Sequence, residues 1–344
     1  MTRPGRDIWI FTLGYFVAYV PFSMLAKGVS KGLFSADGKG LDGPVLLPVS
    51  MIFSVAVMFT FWALNGWWRD AARARPFKLG PLLLPRPRRG TWLSGVCVAG
   101  ISATTTLAFT FEGVSIVLAL LLMRGGVLLM GPLVDGALRR GVRAEAWQAF
   151  TLTLAALLLS LSGATHHHIP GGCVVVLGVY LACYLTRLVL MTRLAKGPDP
   201  VENRRFLIEE QVVGNSLLVV GLVAMALLGI GGVGAALRQG FAGLWSDPGL
   251  VAALLAMGFC SAGTGMFGSL VFLDARENTF CIPVNRASSL LAGVVATFVM
   301  HAIFASGVPR RVEIVGTILV CGALIVAAAP SLTERRNPDG APHS

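Results

Sequence analysis

The chain has 344 residues, of which 55% are apolar and only 13% are charged, and it carries a net charge of +11. Ordinary soluble domains carry about 25% charged residues, so this composition excludes a water-soluble protein and indicates a polytopic membrane protein. The basic residues stand in short clusters between apolar segments. This pattern is typical of cytoplasmic loops of membrane proteins and gives no signal for nucleic-acid binding beyond charge.

Ten apolar segments approach or exceed the roughly 20 residues that a helix needs to cross a bilayer. The first is too long for the apolar part of a cleaved signal peptide, so we interpret it as a membrane helix. A polar tail at residues 331–344 is predicted to be disordered and cytoplasmic. The ten predicted spans are Ile8–Val29, Pro44–Trp68, Thr91–Phe111, Val114–Val134, Trp147–Thr165, Gly171–Thr192, Leu207–Ile230, Gly249–Leu273, Phe280–Phe304 and Glu313–Pro330.

The distribution of the 28 Lys and Arg residues predicts the orientation. Most of them fall between spans on the side that also holds the N-terminus, and the loop Arg69–Arg89 is the richest cluster. Because Lys and Arg are retained in the cytoplasm, we expect both termini inside. The bias to Ala, Gly, Leu and Arg favours a bacterium of high GC content, and therefore the bacterial inner (plasma) membrane.

Two sets of matches along the chain indicate an internal duplication. The first span and the sixth both end in Leu-Ala-Lys-Gly, and Tyr15 matches Tyr184 at the same spacing. Further along, Arg124 follows an acidic residue by the same interval as Arg286 does. The matching residues occur in the same order and at similar separations along the chain. They favour two repeats, with the first at residues 1–165 and the second at 166–330.

Each predicted repeat contains five helices, which is an odd number. Two such units in tandem enter the membrane from opposite sides, so we expect inverted-topology repeats. Architectures of this kind belong mostly to secondary transporters, whose binding site lies near the bilayer midplane between the repeats. The predicted fold class is therefore an all-α polytopic membrane protein of ten transmembrane helices.

The arrangement resembles the drug/metabolite transporter superfamily, including its EamA-domain members. Two stretches carry the local resemblance: Glu112-Gly113-Val114-Ser115, running on through Gly131-Pro132-Leu133, and Asn285-Arg286-Ala287-Ser288-Ser289. The resemblance covers nearly the whole chain and implies ten helices with the N-terminus inside. It also implies phosphate-binding basic residues in helices 4 and 9, as in the sugar-phosphate and nucleotide-sugar branches, and Arg124 and Arg286 stand in those helices.

Arg124 and Arg286 are the strongest candidates for a binding site. An ionisable group in the hydrocarbon core costs about 2.5–3.5 kcal/mol on insertion scales, so such a residue usually faces a cavity or a partner. Two guanidiniums at matching depth predict a clamp for a phosphate or carboxylate. The alternative is structural, with each arginine paired to a buried carboxylate, for which the candidates are Glu209, Glu210 and Asp135.

Other polar residues in the spans are weaker candidates. For Glu209 and Glu210 we prefer a position at the membrane interface, at the start of a helix, and ion coupling is the alternative. Arg187 is expected to extend its charge to the cytoplasmic interface. Candidates for lining a substrate cavity are Tyr15, Tyr184, Asn215 and Asn285.

The sequence predicts a secondary transporter that moves a small organic or phosphorylated anion by alternating access. The alternatives are an exporter of neutral or cationic amphiphiles and a translocase of lipid head groups. We expect no enzymatic activity, because the sequence has no HExxH or P-loop motif. No cofactor or metal is expected, and His166-His167-His168 is predicted to be a solvated loop. The expected partners are a small-molecule substrate, the lipid bilayer and, for a homodimer, a second copy of the chain.

Overall fold

The computed structural model describes residues 7–74, 76–79, 82–108, 116–162, 171–196, 199–229, 231–304, 315, 318–319 and 321–326. These residues are predominantly helical. Six helices among them are long and apolar enough to cross a membrane, as expected for a multi-pass membrane protein. They are Ile8–Ser30, Gly43–Leu64, Gly171–Leu194, Val201–Leu228, Pro248–Phe272 and Asn278–Phe304.

Eleven helices and one short hairpin have defined bounds in this part of the chain. The helices are α1 (Asp7–Ser30), α2 (Gly43–Leu64), α3 (Trp67–Ala74), α4 (Arg89–Ala108), α5 (Ile116–Ala137), α6 (Ala144–Ser162), α7 (Gly171–Leu194), α8 (Pro200–Leu228), α9 (Gly231–Ala242), α10 (Pro248–Phe272) and α11 (Asn278–Phe304). The strands β1 (Pro76–Leu79) and β2 (Leu82–Pro85) pair antiparallel, with Pro76 opposite Pro85 and Leu79 opposite Leu82.

Two short helices lie where the sequence predicted loops. The segment Arg69–Arg89 holds most of α3 and the β1–β2 hairpin, and α9 follows α8. Helix α3 has too few apolar residues to form a span, but Ala71 and Ala72 on one side of it are buried. Trp68 belongs to α3, so the predicted span Pro44–Trp68 was too long.

Helix α8 begins earlier than predicted. Asp199 caps it by accepting a hydrogen bond of 2.9 Å from the backbone N–H of Val201, and Pro200 occupies the first turn. Proline suits this position because the first N–H groups of a helix have no acceptor within it. Glu209 and Glu210 therefore lie in the third turn of α8 and not at its start. The prediction that they sit at the start of the helix was wrong.

The packing of the long helices crosses between the two predicted halves. Helix α10 packs against α1 and α2, and α4 packs against α7 and α8. The short helices follow the same pattern, because α9 packs on α2 and α3 packs on α8. Helix α11 contacts α1 and α5, and α5 contacts α7. Each half therefore obtains most of its packing surface from the other half.

Glycines allow the closest of these approaches. A Cβ at Gly95 of α4 would stand 2.8 Å from the backbone oxygen of Glu210 in α8. A Cβ at Gly258 of α10 would stand 2.6 Å from the backbone oxygen of Ser50 in α2. Both distances are too short for a side chain. Small residues at these points let the backbones pack directly, as is common in membrane helix pairs.

The molecule buries an apolar centre and exposes apolar outer faces. The largest core cluster joins α5, α7, α10 and α11, with Val127 and Leu188 among its members. On α1, Ile10, Leu13 and Val17 share one side of the helix and are 52%, 62% and 60% exposed. Three such residues at helical spacing form an apolar stripe that suits contact with lipid and not with water.

The tenth predicted span, Glu313–Pro330, falls largely outside the described residues. Its described positions, 315, 318–319 and 321–326, are helical. Leu319 and Leu324 pack on a small cluster with Ala156 and Ala287. The predicted tail at residues 331–344 and the His166-His167-His168 turn lie outside the described part of the chain.

Candidate functional site

Two arginine–tyrosine pairs lie inside the helical bundle. Nη2 of Arg286 in α11 donates to the hydroxyl oxygen of Tyr184 in α7 at 2.9 Å, and the guanidinium carbon stands 5.3 Å from the centre of the same ring. Nη2 of Arg124 in α5 donates to the hydroxyl of Tyr19 in α1, with its guanidinium carbon 5.7 Å from that ring centre. The two predicted arginines thus have the same kind of partner.

Each of these tyrosines packs against a second one a turn away. The ring centres of Tyr15 and Tyr19 are 5.4 Å apart, and those of Tyr180 and Tyr184 are 5.3 Å apart. These four are all the tyrosines of the chain. The spacing in both pairs is i to i+4, which places the two rings on one helix face.

Close packing joins the two Arg–Tyr pairs. The Tyr15 ring packs on Tyr19 and also lies beside Gly268, where a Cβ would stand 3.1 Å from that ring and 3.5 Å from Nδ2 of Asn285, the neighbour of Arg286. The guanidiniums therefore belong to one neighbourhood rather than to two separate sites. We use the name Arg–Tyr cluster for Arg124, Arg286, Tyr15, Tyr19, Tyr180 and Tyr184.

Tyr15 and Tyr184, which match in the sequence, make different contacts. Tyr184 binds an arginine, and in the first half it is Tyr19 that does so. Tyr19 and Tyr184 therefore make the same kind of contact, and Tyr15 and Tyr180 are the second tyrosines of the two pairs. Sequence reasoning missed Tyr19 and Tyr180, although the repeated Tyr-x-x-x-Tyr spacing was a usable signal.

The three carboxylates proposed as structural partners of the arginines have other partners. Asp135 of α5 is completely buried and caps the start of α11. It accepts from the backbone N–H and amide group of Asn278 at 3.1 and 2.9 Å, and from the backbone N–H and hydroxyl of Thr279 at 2.6 and 2.7 Å. All four donors belong to α11, so Asp135 satisfies the N-terminal N–H groups of a helix in the other half.

Glu210 forms a buried ion pair with Arg187. Nε and Nη2 of Arg187 donate to the two carboxylate oxygens at 2.9 and 2.7 Å, and the side chains are 8% and 0% exposed. The hydroxyl of Ser94 also donates to Glu210, and Nη2 of Arg187 lies 3.1 Å from the hydroxyl of Ser269. The prediction that Arg187 extends to the interface was wrong, because α4 brings a carboxylate of α8 against it.

Glu209 is buried beside Arg205 and the N-terminal end of α4. Nε of Arg205 donates to it at 2.9 Å, and the backbone N–H of Arg88 donates at 3.2 Å. Both glutamates are therefore neutralised by arginines near them. Within the described chain, no salt bridge joins a carboxylate to Arg124 or Arg286.

Asn285, next to Arg286 on α11, is buried with an unused donor. It is 2% exposed, and its amide nitrogen has no acceptor among the described residues. Nε of Arg286 is likewise buried with no acceptor among them. Asn215 lies elsewhere, with its amide nitrogen 3.4 Å from Oε1 of Gln211 and 3.8 Å from Sδ of Met58.

At the ends of the helices, a further ion pair links the halves outside the spans. Nε of Arg143, before α6, donates to Oε1 of Glu277, before α11, at 2.9 Å. Burial alone would raise the pKa of Glu277, but the hydrogen bond and charge of Arg143 outweigh burial and hold that pKa below its usual value. On another loop, Asp247 accepts from the backbone N–H of Ala36 at 2.7 Å. This bond lowers the pKa of Asp247, together with bonds from Leu250 and Gly249.

Comparison with known proteins identifies the fold and no family. No family model matches the sequence, and no curated protein matches it. A solved structure described only as "Crystal structure of protein" is similar with a TM-score of 0.59 and 17% identity. The similarity covers 92% of this chain and 98% of the other one. At this identity the likeness shows the fold alone, and it extends over nearly the whole of both chains.

Proposed function

We propose that the protein is a secondary transporter that moves a small organic or phosphorylated anion across the membrane by alternating access. One observation carries the proposal: Arg124 and Arg286 share one cluster, and their partners in the described chain are neutral tyrosine hydroxyls. A charge within a membrane protein is costly unless something opposite in charge approaches it. A phenol orients a guanidinium without cancelling its charge, so the cluster retains its attraction for an anion.

The crossed packing supports the proposal that residues 1–165 and 166–330 are inverted repeats of five spans each. If α1 corresponds to α7, α2 to α8 and α4 to α10, each principal contact has a counterpart. The contacts of α10 with α1 and α2 correspond to those of α4 with α7 and α8, and α9 on α2 corresponds to α3 on α8. The drug/metabolite transporter superfamily has this plan, and we propose that the chain is a member.

Each arginine binds a tyrosine of its own half. Arg124 and Tyr19 lie in the first repeat, whereas Arg286 and Tyr184 lie in the second. Rocking of one repeat against the other would therefore move each Arg–Tyr pair as a unit while opening the cluster to alternate sides. The sequence has no nucleotide-hydrolysis motif, so ion coupling or counter-exchange would supply the energy.

Uptake into proteoliposomes tests the proposed function. Purified protein is reconstituted and offered small carboxylates, phosphate esters, organic cations and fluorescent lipids, each against protein-free vesicles. We expect saturable uptake of at least one anion class, and we expect Arg124→Gln and Arg286→Gln each to abolish it. Uptake of cations or neutral amphiphiles that survives both substitutions would refute the proposal and favour an amphiphile exporter, and lipid movement would favour a head-group translocase.

A further inference from the structure

We infer that the substrate carries a neutral hydrogen-bond acceptor beside its anionic group, and that Asn285 binds this acceptor. The inference rests on the proposed function, since it concerns the ligand of the same cluster. It names the substrate class as oxygen-substituted organic anions, which are hydroxy acids, oxo acids and polyol phosphates. Simple anions without a neighbouring oxygen are disfavoured.

Two neighbouring donors of α11 are buried and unused. Nδ2 of Asn285 and Nε of Arg286 are buried on adjacent residues of α11, and neither has an acceptor in the described chain. A buried donor left without an acceptor costs about 1–3 kcal/mol. Both groups are donors, and one is charged and the other neutral. A ligand that satisfies both presents an anionic oxygen to the guanidinium and a second oxygen to the amide.

The Asn285 amide is packed closely against Tyr15 and α10. Gly268 of α10 faces this point, and a Cβ built on it would stand 3.1 Å from the ring of Tyr15 and 3.5 Å from Nδ2 of Asn285. Any larger residue would therefore press on the tyrosine ring and cover the amide. Glycine thus keeps α10, the Tyr15 ring and the Asn285 amide in direct contact, so the amide belongs to the Arg–Tyr cluster.

The residues that precede the two arginines differ in chemistry. At the spacing that matches Arg124 with Arg286, Met123 is the counterpart of Asn285. Met123 is 2% exposed and belongs to the main apolar core cluster, so its thioether offers no hydrogen-bond donor. The two arginines are thus equivalent while their neighbours are not. The cluster distinguishes the two ends of a ligand, and the oxygen-substituted end lies toward α11.

The inference is tested with matched anions that differ by one hydroxyl. Binding of lactate against propionate, and of glycerol 3-phosphate against propyl phosphate, is measured by competition in the reconstituted protein. A site built to bind a hydroxyl disfavours the analogue that lacks it. We expect the hydroxylated member of at least one pair to bind about 10-fold or more tightly, which corresponds to about 1.4 kcal/mol for one good hydrogen bond.

Two substitutions then assign the preference to this place. Asn285→Leu keeps the side-chain size but removes the donor, so it should bring the affinities for the two members of the pair within about twofold of each other. Gly268→Ala keeps the amide but adds a methyl group that presses on the Tyr15 ring and on the amide, so it should also reduce the preference. The matched control is Thr297→Val on α11, whose hydroxyl is bonded to its own helix at 2.9 Å, and this variant should keep the wild-type preference.

The outcomes separate this inference from the proposed function. If the wild type binds no anion, the transport proposal fails and the inference fails with it. If it binds hydroxylated and deoxy anions equally, or if both variants keep the full preference, anion transport stands and the inference is wrong. Should Asn285→Leu not fold, Gly268→Ala decides the question alone.

Discussion

Arg286 and Tyr184 are joined by a hydrogen bond of 2.9 Å, and Arg124 and Tyr19 are joined in the same way in the other half. In both pairs the guanidinium also stands over the ring of its tyrosine. The ring face attracts a cation without neutralising it, and the hydroxyl fixes its orientation. Elsewhere Arg187 and Arg205 are bound by carboxylates, so these helices contain arginines of two kinds.

Substituting Arg286 by Lys should impair anion binding although the charge is kept. An ammonium group cannot reproduce the planar set of donors that a guanidinium offers to an oxyanion. We expect a loss of about 10-fold for Arg286→Lys and a loss of about 100-fold or more for Arg286→Gln, which also removes the charge. Competition binding in detergent measures both. Arg276→Lys, on the loop before α11, is the control, and a loss of stability without a change in affinity at Arg286 would mean that this residue is structural.

Removal of the two hydroxyls should have matched effects. Tyr184→Phe and Tyr19→Phe each remove one acceptor of an arginine and leave the ring in place. The lost hydrogen bond contributes about 1 kcal/mol to holding the guanidinium in place, so its removal should weaken anion binding about fivefold in each case. Tyr184→Phe should have little further effect once Arg286→Gln is present, because the hydroxyl acts through that arginine. Additive losses in this double variant would contradict the pairing.

Glu210→Gln should destabilise the protein. The change leaves the Arg187 charge buried without a counter-charge, which typically costs about 3–5 kcal/mol or on the order of 10 °C in Tm. Thermal unfolding in detergent measures the loss. The double variant Arg187→Met with Glu210→Leu should recover most of it, because no charge then remains. If Glu210→Gln instead kept its stability and removed a dependence of uptake on the proton gradient, Glu210 would be a coupling residue.

The Arg143–Glu277 pair should make stability depend on pH at the acid end. The folded-state pKa of Glu277 is below its value in the unfolded chain, which is about 4.3. Its contribution is therefore complete above that unfolded value, and it is lost as the pH falls through the lower folded-state pKa. We expect the difference in Tm between wild type and Glu277→Gln to be constant from pH 7 to about 5 and to shrink below about 4. A constant difference down to pH 2 would show that the carboxylate charge contributes nothing.

The proposed orientation can be tested by labelling with thiol reagents that do not cross membranes. A cysteine introduced in the segment Arg69–Arg89, in a background without the six native cysteines, should be protected in intact cells. A cysteine in place of His167 should be labelled. The opposite result would place both termini outside and reverse every assignment of sides made above.

Apolar length predicted the long helices because it depends only on local composition. Helix α1 spans Asp7–Ser30 against the predicted Ile8–Val29, and α10 spans Pro248–Phe272 against Gly249–Leu273. Composition failed for α3, whose apolar side covers only two turns and gains its stability from α8. Composition also placed the start of α8 too late. The helix begins in a polar stretch with Asp199 as its cap and Pro200 in its first turn, and such residues are not typical of a membrane span.

For the candidate site, the sequence identified the buried arginines but not the side chains that contact them. Unusual charges within apolar segments single out Arg124 and Arg286 without any knowledge of the fold. The partner of Arg187 could not be predicted, because Glu210 reaches it only through the packing of both helices against α4. The sequence matched Tyr15 with Tyr184 because a shared Leu-Ala-Lys-Gly segment set the spacing, and it gave no sign that Tyr19 is the residue that contacts Arg124.

The order of the Arg–Tyr pairs along the chain bears on how the protein is made. Tyr19 precedes Arg124 by 105 residues, and Tyr184 precedes Arg286 by 102. As the chain leaves the ribosome at about 5–20 residues per second, each tyrosine is synthesised roughly 5–20 s before its arginine. Each guanidinium therefore enters the bilayer when its hydroxyl partner is already there. Helix packing follows a different order, because α1 can pack on α10, and α4 on α7, only after the later helix has been synthesised. In the newly made first half, the arginine therefore has its tyrosine partner long before the helices have the neighbours that they pack against.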